Sequence, residues 1–316
     1  MEKNMENIEK MIPNSSSGEA TGSEYEGRYI FFKVKFNKFR EVSESIENAV
    51  LDRETIDETE CVLRLPDSYT DDGEETQLIL SFHGAGSTVC EAENKVGGIK
   101  YVSECVKAGY AALDIAGAAP NGLTLGCPEH LFAIYKAYKY AIKHYNLSER
   151  VLVAGASMGG HVAMNFINMF PSIVIAAGLI YPRLNIDGVT VNGHYCIGTW
   201  DKYNVGADGM STHDRIIDWY HFPSGEWYEK NTIGFNPYRT RSFINSEGER
   251  VLIPPCPIKV WQGTDDKTVD PVMVEEFVRS IHRSGTYAEL HLMEGVGHKI
   301  NSAMKEELLI WFNRFI

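Results

Sequence analysis

Three short stretches of this 316-residue chain carry side chains suited to nucleophilic chemistry. Gly155-Ala156-Ser157-Met158-Gly159 satisfies G-x-S-x-G and lies between the apolar run RVLVA and a helical segment. In that setting a sharp turn presents the serine hydroxyl, and small residues at 155 and 159 avoid clashes. The helix N-terminus that follows favours the negative charge arising when an oxygen attacks a carbonyl carbon. The plainer reading of Ser157 is a helix N-cap. Serine is a weak nucleophile unless a base, and a group orienting that base, stand beside it. EGVGHKI offers His298 as the base, in a glycine-flanked loop after the strand-like run YAELHLM. The histidines at 83, 130, 144, 161 and 282 fall at a strand end or within helical runs. PIKVWQGTDDKTVDP offers the acid. Asp270 precedes Pro271 at a helix start and reads as a cap. Of the remaining pair, the spacing to Val269 favours Asp266, with Asp265 as the alternative.

An oxyanion needs two preorganised N–H donors. Met158 N–H, just after the serine, is the first. The second is expected from the loop after LILSFH, where His83-Gly84-Ala85-Gly86 follows the strand. Ala85 N–H is the expected donor and Gly86 N–H the alternative, with His83 bracing the loop.

For these groups to meet, the runs that carry them must end at one edge of a sheet. From Glu60 onward the apolar runs ECVLRLP, QLILSFH, YAALDIAG, RVLVAG, SIVIAAGLIY, PIKVWQG and YAELHLM alternate with helical segments. Several are apolar on both faces, as strands of a parallel sheet covered on both sides must be. The clearest helix is PEHLFAIYKAYKYAIKHYNL, whose Leu131, Ile134, Tyr135, Tyr138, Ala141, Ile142 and Tyr145 keep one face, with Pro128 in the first turn. GGIKYVSECVKAG is a second expected helix, with Cys105 on its apolar face. Strand and helix in turn predict a doubly wound α/β domain.

Residues 60–316 are read as the catalytic domain and residues 1–59 as an N-terminal extension, of which 1–27 has a flexible linker's composition. Within the extension RYIFFKVKF predicts a strand, and Val42, Ile46, Ala49 and Val50 allow a short helix in the acidic stretch after it. The alternation breaks between Pro182 and Pro255, predicting a cap-like insertion at about 184–252. Asp187-Gly188 and Asn192-Gly193 mark tight turns there, and ten aromatic residues from Trp200 to Phe243 suggest a pocket wall.

GASMGG, HGAG, GTDDKTV and GVGH, in this order and setting, resemble the α/β-hydrolase superfamily over residues 60–316. The resemblance implies an α/β-hydrolase fold: a mostly parallel twisted sheet, helices on both faces, and an aromatic-rich insertion before the acid-bearing strand. Within the superfamily the chain is similar to feruloyl esterase, acetylxylan esterase and polyhydroxyalkanoate depolymerase-like groups, and to the catalytic domain of prolyl-oligopeptidase-like enzymes. HGAG lacks the third consecutive glycine of lipase-type loops, and residues 1–59 match nothing in the core fold. The implied activity is a serine carboxylesterase acting on small acyl or aryl esters, carbohydrate-linked ones included. A prolyl-oligopeptidase-like peptidase is one alternative, and a non-catalytic binding protein on this scaffold is another.

Composition narrows the partners. A formal net charge of -13 argues against nucleic acid and anionic membranes, since no basic stripe is available to offset phosphate. The N-terminus has no apolar segment of the Sec signal type and no run reaches about 20 apolar residues, so a cytoplasmic location is the default expectation. The six cysteines follow no metal-ligand or disulfide spacing and read as reduced thiols. No cofactor or metal is expected, and the expected partner is a small-molecule or glycan-linked ester.

Overall fold

The computed structural model describes residues 28–41, 50–118, 125–186, 190–191, 194–195 and 235–316. Eight strands form one sheet: β1 (Tyr29–Glu41), β2 (Val50–Arg64), β3 (Leu78–Phe82), β4 (Ala111–Ile115), β5 (Val151–Ala156), β6 (Val174–Ile180), β7 (Ile258–Gly263) and β8 (Ala288–Met293). Their spatial order is β1-β2-β4-β3-β5-β6-β7-β8. β1 and β2 pair antiparallel, and β2 joins β4 antiparallel; from β4 to β8 every pairing is parallel.

Strand residues that are apolar on both faces feed two cores. Along β5, Val151 and Val153 belong to one cluster while Leu152, Ala154 and Ala156 belong to the other. The first cluster is closed by α2 (Pro128–His144), α3 (Met158–Met169) and α4 (Pro271–His282). The second is closed by α1 (Ser103–Lys107) with the 3₁₀ turn before it, and by α5 (Ser302–Phe312). The sheet is thus covered on both sides, as the alternation predicts.

Two elements differ from expectation. GGIKYVSECVKAG starts as a 3₁₀ turn over Gly97–Val102 and becomes α-helical only at Ser103. The cause is local: Gly97 has φ 50, and Gly98 N–H donates to the buried Asp114 carboxylate at 2.5 Å instead of serving a helix. The acidic stretch is strand from Val50 on, while Val42, Ile46 and Ala49 lie outside the described residues. Antiparallel pairing with β1, in register from Tyr29 opposite Arg64 to Asn37 opposite Ile56 and then shifted by irregularities to Phe39 opposite Leu51 and Glu41 opposite Val50, overrides the helical pattern there.

In the insertion, Thr190–Val191 pairs antiparallel with His194–Tyr195 on either side of Asn192-Gly193, and Ser242–Ile244 pairs with Arg250–Leu252. Of the ten aromatics from Trp200 to Phe243, Phe235 and Tyr238 are buried and Phe243 is exposed; the other seven lie outside the described residues. Among the described residues no helix is long and apolar enough to cross a membrane.

Candidate active site

Neighbouring strands β3 and β5 diverge in connectivity: from β3 the chain moves to β4 on one side, and the later strands build outward from β5 on the other. Such a switch point leaves a crevice beyond the carboxyl ends of the strands. The loop after β3 and Ser157 after β5 both lie there.

Ser157 has φ 54 and ψ -117, rare for a residue other than glycine. The turn is held because its neighbours are small: a Cβ at Gly155 would overlap the Gly159 carbonyl, and one at Gly159 would overlap the Phe82 carbonyl of β3. Ser157 occupies the N-cap position of α3, yet its side chain makes no cap bond. Its Oγ lies 3.0 Å from His298 Nε2 instead.

His298 Nδ1 lies 2.8 Å from Asp266 Oδ2. A carboxylate only accepts, so Nδ1 carries the proton and Nε2 is the acceptor facing the serine hydroxyl. Glycines set this histidine in place. A Cβ at Gly263 would overlap Val296 O, and Asp265 N–H donates to Val296 O at 3.0 Å, so the loops after β7 and β8 are stitched together. Asp266 Oδ1 accepts Thr268 N–H at 2.8 Å and Val269 N–H at 2.9 Å, and Gln262 Nε2 donates to Oδ2 at 3.2 Å. Burial pushes the Asp266 carboxyl up, but the hydrogen bonds from His298, Val269 and Thr268 outweigh it and hold the group below the usual carboxylate range. Asp265 is exposed, and Asp270 caps α4 by accepting Val272 N–H at 2.9 Å.

Met158 opens α3 directly after the serine. The loop after β3 lies against it: a Cβ at Gly84 would stand 3.3 Å from Ser157 Cβ. Ser87 N–H closes a turn on Gly84 O at 3.2 Å, Gly86 has φ 81, and Ala85 and Gly86 are exposed. His83 is buried beneath, its Nδ1 2.8 Å from Asp114 Oδ2, and Tyr101 Oη donates to Phe82 O at 2.7 Å. These contacts fix the loop from below.

Several contributors are not marked in the sequence. Asp114 anchors both His83 and the Gly98 turn, and a lone carboxylate in the apolar run YAALDIAG is the signal that could have found it. Tyr181, at the end of β6, packs its ring on His298 with centroids 4.2 Å apart. His161 on α3, pushed down to about 3 by burial, is a neutral ring whose Nε2 donates to Phe235 O at 3.0 Å. It fastens the returning end of the insertion to the helix that follows Ser157. Among the described residues no group of His, Cys, Asp and Glu side chains is placed to hold a metal ion.

Neither a family model nor a curated protein sequence matches the chain. Solved structures do. An acetyl xylan esterase from a Paenibacillus species superposes with TM-score 0.56 at 13% identity, covering 99% of this chain and 93% of that one. A thermophilic esterase from Thermogutta terrifontis gives 0.51 at 13%, covering 88% and 90%. A puromycin-hydrolysing peptidase of Mycobacterium tuberculosis gives 0.57 at 12%, covering 88% of this chain but only 39% of its own length. With an eight-stranded, mostly parallel sheet, helices on both faces and these neighbours, the chain has the α/β-hydrolase fold.

Proposed function

We propose that the chain is a serine hydrolase of carboxylic esters, working through Ser157, His298 and Asp266. The observation that carries this reading is the continuous line from Ser157 Oγ to His298 Nε2 at 3.0 Å and from His298 Nδ1 to Asp266 Oδ2 at 2.8 Å. His298 takes the serine proton as Oγ attacks the ester carbonyl. Met158 N–H and Ala85 N–H, with Gly86 as the alternative to Ala85, receive the oxyanion. His298 then protonates the leaving alcohol, and the same imidazole activates water to release the acid from the acyl-enzyme. Asp266 keeps the imidazole in the required tautomer and stabilises its charged form.

The substrates proposed are small acyl or aryl esters, including those carried on carbohydrate. The aromatic content of the insertion supports a wall on which a sugar or phenolic ring could stack, and the acetyl xylan esterase likeness points the same way. The peptidase likeness favours a second reading, cleavage of amides, through the same triad. Turnover of p-nitrophenyl esters from acetate to octanoate, of acetylated sugars and of peptide amides by wild type and Ser157→Ala tests both. Ester turnover and fluorophosphonate labelling, both lost in Ser157→Ala, are the expected result. Amide cleavage without ester cleavage would put the peptidase reading first. A folded wild type that neither labels nor turns over any of them would remove the hydrolase reading.

A further inference from the structure

The corner that ends β6 touches all three members of this triad or their strands. Tyr181 has φ 34, a costly conformation for an aromatic residue, and the proline after it narrows its choices further. Strain of this kind persists where surrounding contacts over-determine it. Here Ser157 N–H donates to Ile180 O at 3.0 Å, and Ser157 O accepts Arg183 N–H at 2.9 Å. Tyr181 and Pro182 therefore bridge a backbone clamp closed on the serine's own peptide groups. Tyr181 N–H donates to Trp261 O at 2.7 Å, on the strand that leads to Asp266. The ring reaches the remaining member, packing on the His298 imidazole at 4.2 Å with the planes inclined by 46°. The His298 side chain is 24% exposed, so the imidazole is not fully enclosed, and Tyr181 supplies one of the faces that keep it in line with carboxylate and hydroxyl. Tyr181, in contrast, is buried.

We propose that Tyr181 is a positioning residue: its backbone corner fixes Ser157, and its ring keeps the His298 imidazole aligned between Asp266 and Ser157. This rests on the serine-hydrolase reading above. The ring, and not the hydroxyl, does the aligning. Burial and then the Asp266 charge push that hydroxyl up to about 12, so it stays neutral, and among the described residues it makes no hydrogen bond.

The test compares wild type, Tyr181→Phe, Tyr181→Leu and Ser157→Ala for kcat, KM, fluorophosphonate labelling rate and melting temperature. Tyr181→Leu is expected to lower kcat and labelling rate together by about tenfold while KM moves less than about twofold, the scale of a lost ring contact. The conservative Tyr181→Phe, which keeps the ring, is expected to restore kcat to within about twofold. The far-downfield Nδ1–H proton resonance of His298 should be sharp in wild type and Tyr181→Phe, and broadened in Tyr181→Leu. If leucine does not tolerate the left-handed backbone and the protein fails to fold, Tyr181→Gly, which takes that φ freely, carries the same expectation. Wild-type kcat in the Leu or Gly variant overturns the proposal, as does a loss confined to KM, or a Phe variant as impaired as the Leu one. Full activity in Ser157→Ala would instead remove the triad reading and this inference with it. An inactive Ser157→Ala beside a fully active Tyr181→Leu would remove the Tyr181 role alone.

Discussion

The Asp266 carboxyl is held below its ordinary range against burial, by His298 and by the Val269 and Thr268 N–H groups. Its unfolded-state value is the higher one, so its ionised form stabilises the fold fully above roughly pH 4, and that contribution is lost as pH falls through the folded value. At neutral pH it is a carboxylate that accepts from two backbone N–H groups, from Gln262 and from the imidazole. Asp266→Asn removes the charge and brings an amide NH₂ to a place where every neighbour donates. The expected loss in kcat is about a thousandfold or more. The melting-temperature gap to wild type should be wide at pH 7 and narrow below roughly pH 4. A variant within tenfold of wild type, or a gap that ignores pH, would count against the assigned role. Ser157, Asp266 and His298 are legible in the sequence because each is flagged by its immediate chain: a glycine pair, a spacing to Val269, a glycine-flanked loop. Tyr181 and Gln262 carry no such flag. An aromatic closing SIVIAAGLIY and a glutamine within PIKVWQG read as packing, and their roles depend on which strands lie side by side.

Helix α3 approaches β3 closely enough that the two share no room for a side chain at Gly159. The obstacle is the Phe82 carbonyl, a backbone group at the carboxyl end of the central strand β3, which cannot swing aside as a side chain would. Gly159→Ala should therefore cost about 1–3 kcal/mol and tilt the helix away from the elbow, with a large loss of activity. Gly285→Ala is the contrast: Gly285 has φ 75 but open space around its Cβ position, so it should lose stability only, by about 1 kcal/mol. Urea unfolding with ester turnover on both variants separates close approach from backbone strain. Equal losses of activity in the two would mean that the contact with β3 does not position the serine. At this scale the strands from Glu60 onward are readable because apolar residues feed cores on both sides of each one. The first part of β2 is not, since its charged and threonine-rich run gains strand character only from β1. Lys33 and Glu58, paired at 3.0 Å across that ladder, show the kind of contact involved.

Across the whole molecule the formal charge sums to -13, with a sequence pI near 5.3. At distances beyond a single side chain a substrate meets this sum and not any one residue, and the field reaches about 30 Å at 0.01 M salt but only about 8 Å at 0.15 M. A cationic ester is drawn in and an anionic ester held off, each more strongly when salt is low. Three aryl acetates that differ in bearing a trimethylammonium, a neutral or a carboxylate substituent make this measurable. Each is compared with itself at two salt concentrations, so intrinsic leaving-group differences cancel. Raising salt from about 10 to about 300 mM should lower kcat/KM severalfold for the cationic ester, raise it severalfold for the anionic one and leave the neutral one nearly unchanged. A common salt response for all three would mean that the charges near Ser157 are arranged to cancel the overall field. Substrate choice would then be governed within the crevice beyond β3 and β5, where Ser157 and the His83–Ser87 loop lie together.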